Sequence, residues 1–207
     1  MNAGDAVVAA LVIGGAYLIG GIPWGVVYAR VTGGTDPRTI GSGRTGGANV
    51  LRALGPRAAL ASGLLDVLKG VSAVVIAIVL GAGLGVQVLA ALAAILGHSR
   101  SVWINFSGGR GIAPGWGGLI VLQPIAAIVV VPVFVVVLLV GRYSSLASLT
   151  ATTVGALTAV ATVILFDLSP LYAVYGVAAA AMIWLFHRDN VERLLAGTER
   201  RIEFRRQ

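Results

Sequence analysis

Apolar residues fill long runs at 7–29, 56–80, 86–98, 112–140, 145–166 and 170–186, and the polar residues collect in the stretches between them. Runs of this length with almost no charge predict membrane-spanning helices. One crossing takes about 20 residues at ~1.5 Å each, so 86–98 is short for a span and 112–140 is long for a single helix. Dividing the long run near Gln123 and Pro124 gives seven segments, some of them short or broken. The first run follows Asp5 and has no Lys or Arg before it, unlike a cleaved secretory signal with its basic start. It therefore reads as a retained span whose start faces away from the cytoplasm.

Charge tests the count of seven. The 15 Lys and Arg residues lie at 30, 38, 44, 52, 57, 69, 100, 110, 142, 188, 193, 200, 201, 205 and 206. With seven crossings and the N-terminus outside, the loops at 31–55, 99–111 and 141–144 share the cytoplasmic side with the tail from 187, and the outer connections carry only Asp5 and Asp167. Six crossings would strand either the Arg142 loop or the basic tail outside, against the positive-inside rule. The predicted fold class is an all-α polytopic integral membrane protein with about seven transmembrane helices, N-terminus outside and C-terminus cytoplasmic. Residues 1–207 form a single membrane-embedded domain in this reading.

Composition narrows the class further. Only 11% of residues are charged and 57% are hydrophobic, with a mean hydropathy of +0.94, whereas soluble chains carry roughly 25% charged residues. The net charge of +7 sits in short stretches between apolar runs, which points to anionic lipid and small anionic substrates rather than nucleic acid. Cysteine is absent, which excludes thiolate metal sites and a cysteine nucleophile. Many of the 29 glycines lie within spans, where they let helix backbones approach closely in lipid.

Three polar segments carry candidate chemistry. The first, DPRTIGSGRTGGANVLRALG at 36–55, holds Gly41, Gly43, Gly46 and Gly47 among Ser42, Thr45 and Asn49, with Arg44 and Arg52 supplying charge. A helix starting near Ala48 would aim its N-terminus into the same space. The segment reads either as a phosphate cradle or as a flexible linker whose arginines fix topology; it lacks the Gly-Lys-Ser/Thr ending of a P-loop. The second, GHSRSVWINFSGGRG at 97–111, joins His98, Arg100 and Arg110 to Gly108 and Gly109, with Trp103 and Phe106 as interfacial anchors. The third begins FHRDNVERLLAGTERR at 186: His187 and Asn190 share a helical face, Val191, Leu194 and Leu195 form an apolar side, and Asp189 and Arg193 pair at i,i+4. Asp66 and Lys69, three apart within a span, read as an ion pair supporting the site in preference to direct substrate contacts. Two histidines and scattered carboxylates make no convincing metal site, and no cofactor fingerprint is present.

Together the three segments resemble the bacterial membrane acyl-phosphate:glycerol-3-phosphate acyltransferase family, PlsY, over essentially the whole chain. The family patterns DxRxxGSGNxGxTNxxRxxG, GHxxPxFxxFxGGKGVAT and HRxNxxRLLxGTE are matched in order by the segments starting at Asp36, Gly97 and His187, and DVLKG and RYSSLAS also resemble family segments. The resemblance implies transfer of a fatty acyl group from acyl phosphate to the sn-1 hydroxyl of glycerol 3-phosphate in the bacterial cell membrane. It places the active site at the cytoplasmic face and needs no cofactor, metal, nucleic acid or obligate protein partner. His187, Asn190 and Ser42 are the catalytic candidates, and Asn49, Arg52, His98, Gly108, Gly109, Arg110 and Glu199 the substrate or phosphate contacts, joined by Arg44 from the loop reading. The departures are Arg44 for Asn, Ala48 for Thr, Ser101 for Pro, Ser107 for a commonly basic residue and Arg110 for Lys. A divergent acyltransferase for another phosphorylated acceptor fits these departures. A transporter of small phosphorylated anions is the rival class. It needs polar positions spread through the bilayer depth, and Asp66 and Lys69 are the only clear charged pair within a span.

Overall fold

The computed structural model describes residues 3–202, and all regular structure among them is helical. The chain divides into two compact units, Met1–Leu122 and Gln123–Gln207.

In the first unit, the single span expected over 7–29 is two helices, α1 (Ala3–Gly21) and α2 (Trp24–Thr32). Pro23 is the cause: it has no N–H to continue the ladder and it disfavours helical geometry in the residue before it. The break leaves carbonyls at the end of α1 to be satisfied by side chains. Ser101 Oγ donates to Gly21 O at 2.5 Å and Trp103 Nε1 to Leu18 O at 3.0 Å. Ser101, where the family pattern has proline, is thus a built hydrogen-bond donor here.

Next come α3 (Gly47–Val79), α4 (Leu84–Ser99) and α5 (Ile112–Leu122). Gly55, at φ 83° and ψ −178°, breaks α3 just before Pro56, so the polar turn starting near residue 48 and the apolar run from 56 are two helices end to end. The positive φ is one that glycine adopts without strain. Small residues make the core: Val12, Ala16, Ala73, Ala77, Ala90 and Ala94 pack together. A Cβ on Gly20 would collide with the Ala94 backbone of α4, and one on Gly70 with the Pro114 carbonyl of α5. In lipid, where hydrophobic drive between helices is small, such close approach supplies the packing.

In the second unit, α6 (Pro124–Gly141), α7 (Ser144–Leu165) and α8 (Pro170–Phe186) are followed by the short α9 (Arg188–Leu195). The division expected near Gln123 and Pro124 is found, with Pro124 in the first turn of α6. Gln123 is buried and its Oε1 accepts from Thr162 Oγ1 at 2.9 Å. Among the described residues, five helices are long and apolar enough to cross a membrane, and six if α8 and α9, bent by 62°, are taken as one; α5 is apolar but shorter.

Candidate active site

The first polar loop is organised by Asn49. Its Nδ2 donates to the carbonyls of Pro37 at 2.7 Å, Arg44 at 2.9 Å and Ile40 at 3.0 Å. Its Oδ1 accepts from Ser42 N at 3.3 Å and from an Arg52 Nη at 3.4 Å. Asn49 itself is buried. Gly41 sits at φ +56°, where a Cβ would strike Asn49 Oδ1. The loop therefore wraps around one amide, which makes Asn49 its scaffold and leaves the half-buried Ser42 and Arg44 and the exposed Arg52 around it. Asp36 opens the loop by accepting from Arg38 N at 2.9 Å and pairing with the Arg38 guanidinium at 2.7 Å. The Arg38 side-chain hydrogen bond, opposed by burial, holds the Asp36 carboxyl below its usual range.

The second motif joins a buried charge network. Lys69 Nζ lies 2.7 Å from Asp66 Oδ1 as a buried ion pair and 3.4 Å from His98 Nδ1. Asp66 Oδ1 is also 3.6 Å from His98 Nδ1. An ammonium only donates, so in the contact with Lys69 the acceptor is Nδ1. The expected Asp66 to Lys69 pair is present, and His98 completes it. The His98 carbonyl accepts from Gly109 N at 3.0 Å. Arg110 follows directly, half-buried, and Ser107 Oγ turns inward to Ile104 O at 2.6 Å.

In the second unit, His187 stands at the bend between α8 and α9 and is buried. Its Nδ1 donates to Ile183 O at 2.8 Å, which leaves the lone pair on Nε2. Asn190 Nδ2 donates to Glu199 Oε1 at 2.7 Å, and Asn190 Oδ1 is buried with no hydrogen-bond donor among the described residues. Ser145 Oγ also donates to Glu199 Oε1, at 2.8 Å, and Arg193 Nε to Oε2 at 2.7 Å. Burial alone would raise the Glu199 carboxyl, but the bonds from Asn190, Ser145 and Arg193, with the Arg193 charge, outweigh it and hold the group below its usual range. Glu199, expected among the substrate or phosphate contacts, thus accepts from three of the protein's own side chains, Asn190 among them.

The expected Asp189 to Arg193 pair forms at 3.2 Å, and Gly197 past the end of α9 has φ +69°. Ile202 N donates to Arg142 O at 2.7 Å, and Arg201 Nε to Tyr143 Oη at 3.0 Å, so the tail is tied to the α6–α7 junction. Ser145 and the Arg193 bond to Glu199 were not singled out from the sequence; the only pointer was the family-like RYSSLAS segment. Beside this cluster lies a groove of about 380 Å³, almost entirely apolar, whose lining includes Leu149, Thr153, Val154, Trp184, Val191 and Leu194. The volume lies within the ~300–1,000 Å³ of small-molecule sites. Trp184 Nε1 donates to Thr153 Oγ1 at 3.1 Å across it. No group of three or more metal-ligating side chains occurs among the described residues.

The motif segments that looked separate in the sequence are therefore built structures, and the chain that carries them is similar to known proteins. The glycerol-3-phosphate acyltransferase family profile matches residues 10–197. Glycerol-3-phosphate acyltransferase 3 of Dehalococcoides mccartyi is 42% identical, over 93% of this chain and 94% of its own. The glycerol-3-phosphate acyltransferase of Rubrobacter xylanophilus is 41% identical, over 89% and 90%. The crystal structure of PlsY, an integral membrane glycerol 3-phosphate acyltransferase, in its glycerol 3-phosphate form superposes with a TM-score of 0.85 at 35% identity, covering 94% of this chain and 96% of that one. Its lysophosphatidic acid form gives 0.84 at 34% identity, covering 94% and 95%. With its loop scaffold, double-glycine segment and Glu199 clasp all falling in the matched positions or beside them, this chain belongs to the glycerol-3-phosphate acyltransferase family.

Proposed function

We propose that this protein transfers a fatty acyl group from an acyl phosphate to the sn-1 hydroxyl of glycerol 3-phosphate, forming lysophosphatidic acid and phosphate. The observation that carries this is the state of the family motifs: each one persists as a structure with its polar groups oriented. Asn49 shapes the first loop, Gly109 bonds to His98 in the second, and Glu199 aligns Asn190 in the third.

An acyl phosphate is a mixed anhydride with a good leaving group, so direct attack by the acceptor hydroxyl suffices. The hydroxyl oxygen bonds to the acyl carbon, the acyl carbon to phosphate oxygen bond breaks, and phosphate departs. His187 Nε2 takes the hydroxyl proton or passes it to the departing phosphate. Asn190 Oδ1, buried and without a donor, accepts from the acceptor's hydroxyl and orients it. Arg44, Arg52, Arg110, Ser42 and the Gly108 and Gly109 amides supply positive charge and donors for phosphate and for charge developing on the carbonyl. The apolar groove beside α9 receives the fatty chain, open to the surrounding lipid.

The reading includes seven crossings, with α5 as a short one, the N-terminus outside and the C-terminus and the polar segments at the cytoplasmic face of the cell membrane. The positions of the basic residues support it. The absence of cysteine makes that topology easy to test. A single cysteine placed at Asp5 is expected to react with an impermeant maleimide in intact cells, and one at Thr198 only in inverted vesicles. The activity is tested with purified protein and a long-chain acyl phosphate. Phosphate release and lysophosphatidic acid formation that require glycerol 3-phosphate support the assignment, and no turnover across several phosphorylated polyols sinks it.

A further inference from the structure

Asp66, Lys69 and His98 have no part in the bond-making step, yet all three are nearly inaccessible, at 4%, 3% and 6% exposure. Asp66 and Lys69 lie inside a helix long and apolar enough to cross a bilayer, where charge is costly. A buried ion pair is weak evidence of a stabilising role, because replacing one by apolar residues of like volume is often neutral or better.

The network ends on the second motif. His98 Nδ1 faces Lys69 and Asp66, while the Nε2 side of the ring fills the space that a Cβ of Gly109 would need. A Cβ on Gly108 would strike the His98 carbonyl, and that carbonyl accepts the Gly109 N–H. A few residues on, α5 rests on the same turn of α3: Gly70, next to Lys69, packs on the Pro114 carbonyl, and Gly117 packs on the Val67 carbonyl. The segment holding Gly108, Gly109 and Arg110 is thus fixed at one end through the His98 ring and at the other by direct helix contact. Both attachments lead to the turn of α3 that bears Asp66 and Lys69.

We propose that Asp66, Lys69 and His98 are positioning residues that hold Gly108, Gly109 and Arg110 in the form that receives the acceptor's phosphate, without touching substrate themselves. For His98 this replaces the expected substrate contact. The inference rests on the acyltransferase reading of the site.

The decisive variant carries Asp66→Leu and Lys69→Met together, which removes the network and leaves no unpaired charge. It is expected to fold, to keep its KM for acyl phosphate and to show a KM for glycerol 3-phosphate raised about tenfold to a hundredfold, the scale on which a displaced group costs. The change in kcat is expected to be much smaller. A normal acceptor KM in the folded double variant overturns the proposal, and so does a defect shared equally by both substrates. Failure of the double variant to fold also overturns it, because the network is then structural. A second test combines His98→Ala with Gly109→Ala. Since the ring and the missing Cβ occupy one space, their effects on acceptor KM are expected not to multiply, and effects that do multiply overturn the proposal. The wild-type assay separates the two levels. If wild-type protein turns over no acyl phosphate, the reaction reading fails, and the positioning claim is decided by glycerol 3-phosphate binding to the same variants in calorimetry, where unweakened binding overturns it.

Discussion

Asn49 and Glu199 each gather hydrogen bonds from several neighbours, but they do so in different surroundings. Asn49 draws on backbone carbonyls within a dozen residues of itself, in a loop whose tight turn at Gly41 leaves no room for a side chain. Elsewhere in the same unit, His98 is gripped by buried charges and by glycine. Glu199 instead binds side chains, Ser145 from 54 residues away and Asn190 and Arg193 from α9, and Arg193 and its second partner Asp189 are partly exposed. The first unit keeps its polar groups in place by close packing; the second holds Asn190 with the Glu199 clasp and His187 through the Ile183 carbonyl. Close packing is insensitive to salt and pH, whereas exposed ion pairs are screened and titrate. The comparison implies that a lesion in the first unit shows in acceptor binding and stability, and one in the second shows in turnover.

The largest effect that bears on this contrast is expected from His187→Ala. Removing a proton acceptor costs about 100-fold or more in kcat, with KM for either substrate changing little; unchanged turnover in a phosphate-release assay would remove His187 from the mechanism. Asn49→Ala leaves the carbonyls of Pro37, Ile40 and Arg44 without their donor. A loss of about 1–3 kcal/mol is expected, read as a lower Tm in detergent, together with a raised acceptor KM. Glu199→Gln removes the charge facing Arg193 while keeping the shape. A drop in kcat of about tenfold, matching one lost charge-assisted bond, supports the clasp, and full activity counts against it.

Cleavage of the tail in acid tests the clasp, whereas the Asp36 to Arg38 pair belongs to the first loop. The folded Glu199 carboxyl lies below its ordinary value of about 4.3, so its contribution is complete above that pH and is lost as pH falls through the lower folded value. Tail cleavage in limited proteolysis is expected to be constant from neutral pH down to about 5 and to rise only below about 4. Onset near neutrality would assign the docking to another group. The smallest effect is expected from Ser101→Pro, which restores the family residue. Ser101 has φ −73°, already suited to proline, and loses its bond to Gly21 O and the one it accepts from Trp103 N, partly offset by the stiffer unfolded chain, so stability is expected to fall by only about 1 kcal/mol in thermal denaturation.

Much of this was legible in the sequence. The apolar runs from 56, 145 and 170, the division at Gln123 and Pro124, the amphipathic α9 and the Asp189 to Arg193 pair all follow from local pattern, and all appear. The motif residues were also legible, because a family resemblance is a property of the string. The break at Pro23 was readable from proline's missing N–H, but the apolar run across it masked the signal.

What only the tertiary structure decided is which polar groups touch. Ser145 and Glu199 are 54 positions apart, and Lys69 and His98 are 29 apart. No periodicity reaches across such gaps, so the contacts of His98 with Lys69 and of Glu199 with Ser145 were not legible in the sequence. Hydrophobic pattern depends on the solvent and is written residue by residue, which is why the sequence by itself determined helices and a membrane setting. Hydrogen bonds and ion pairs act over about 3 Å, and only the packing of α3 on α4, the glycines beneath His98 and the fold of the tail bring these groups that close.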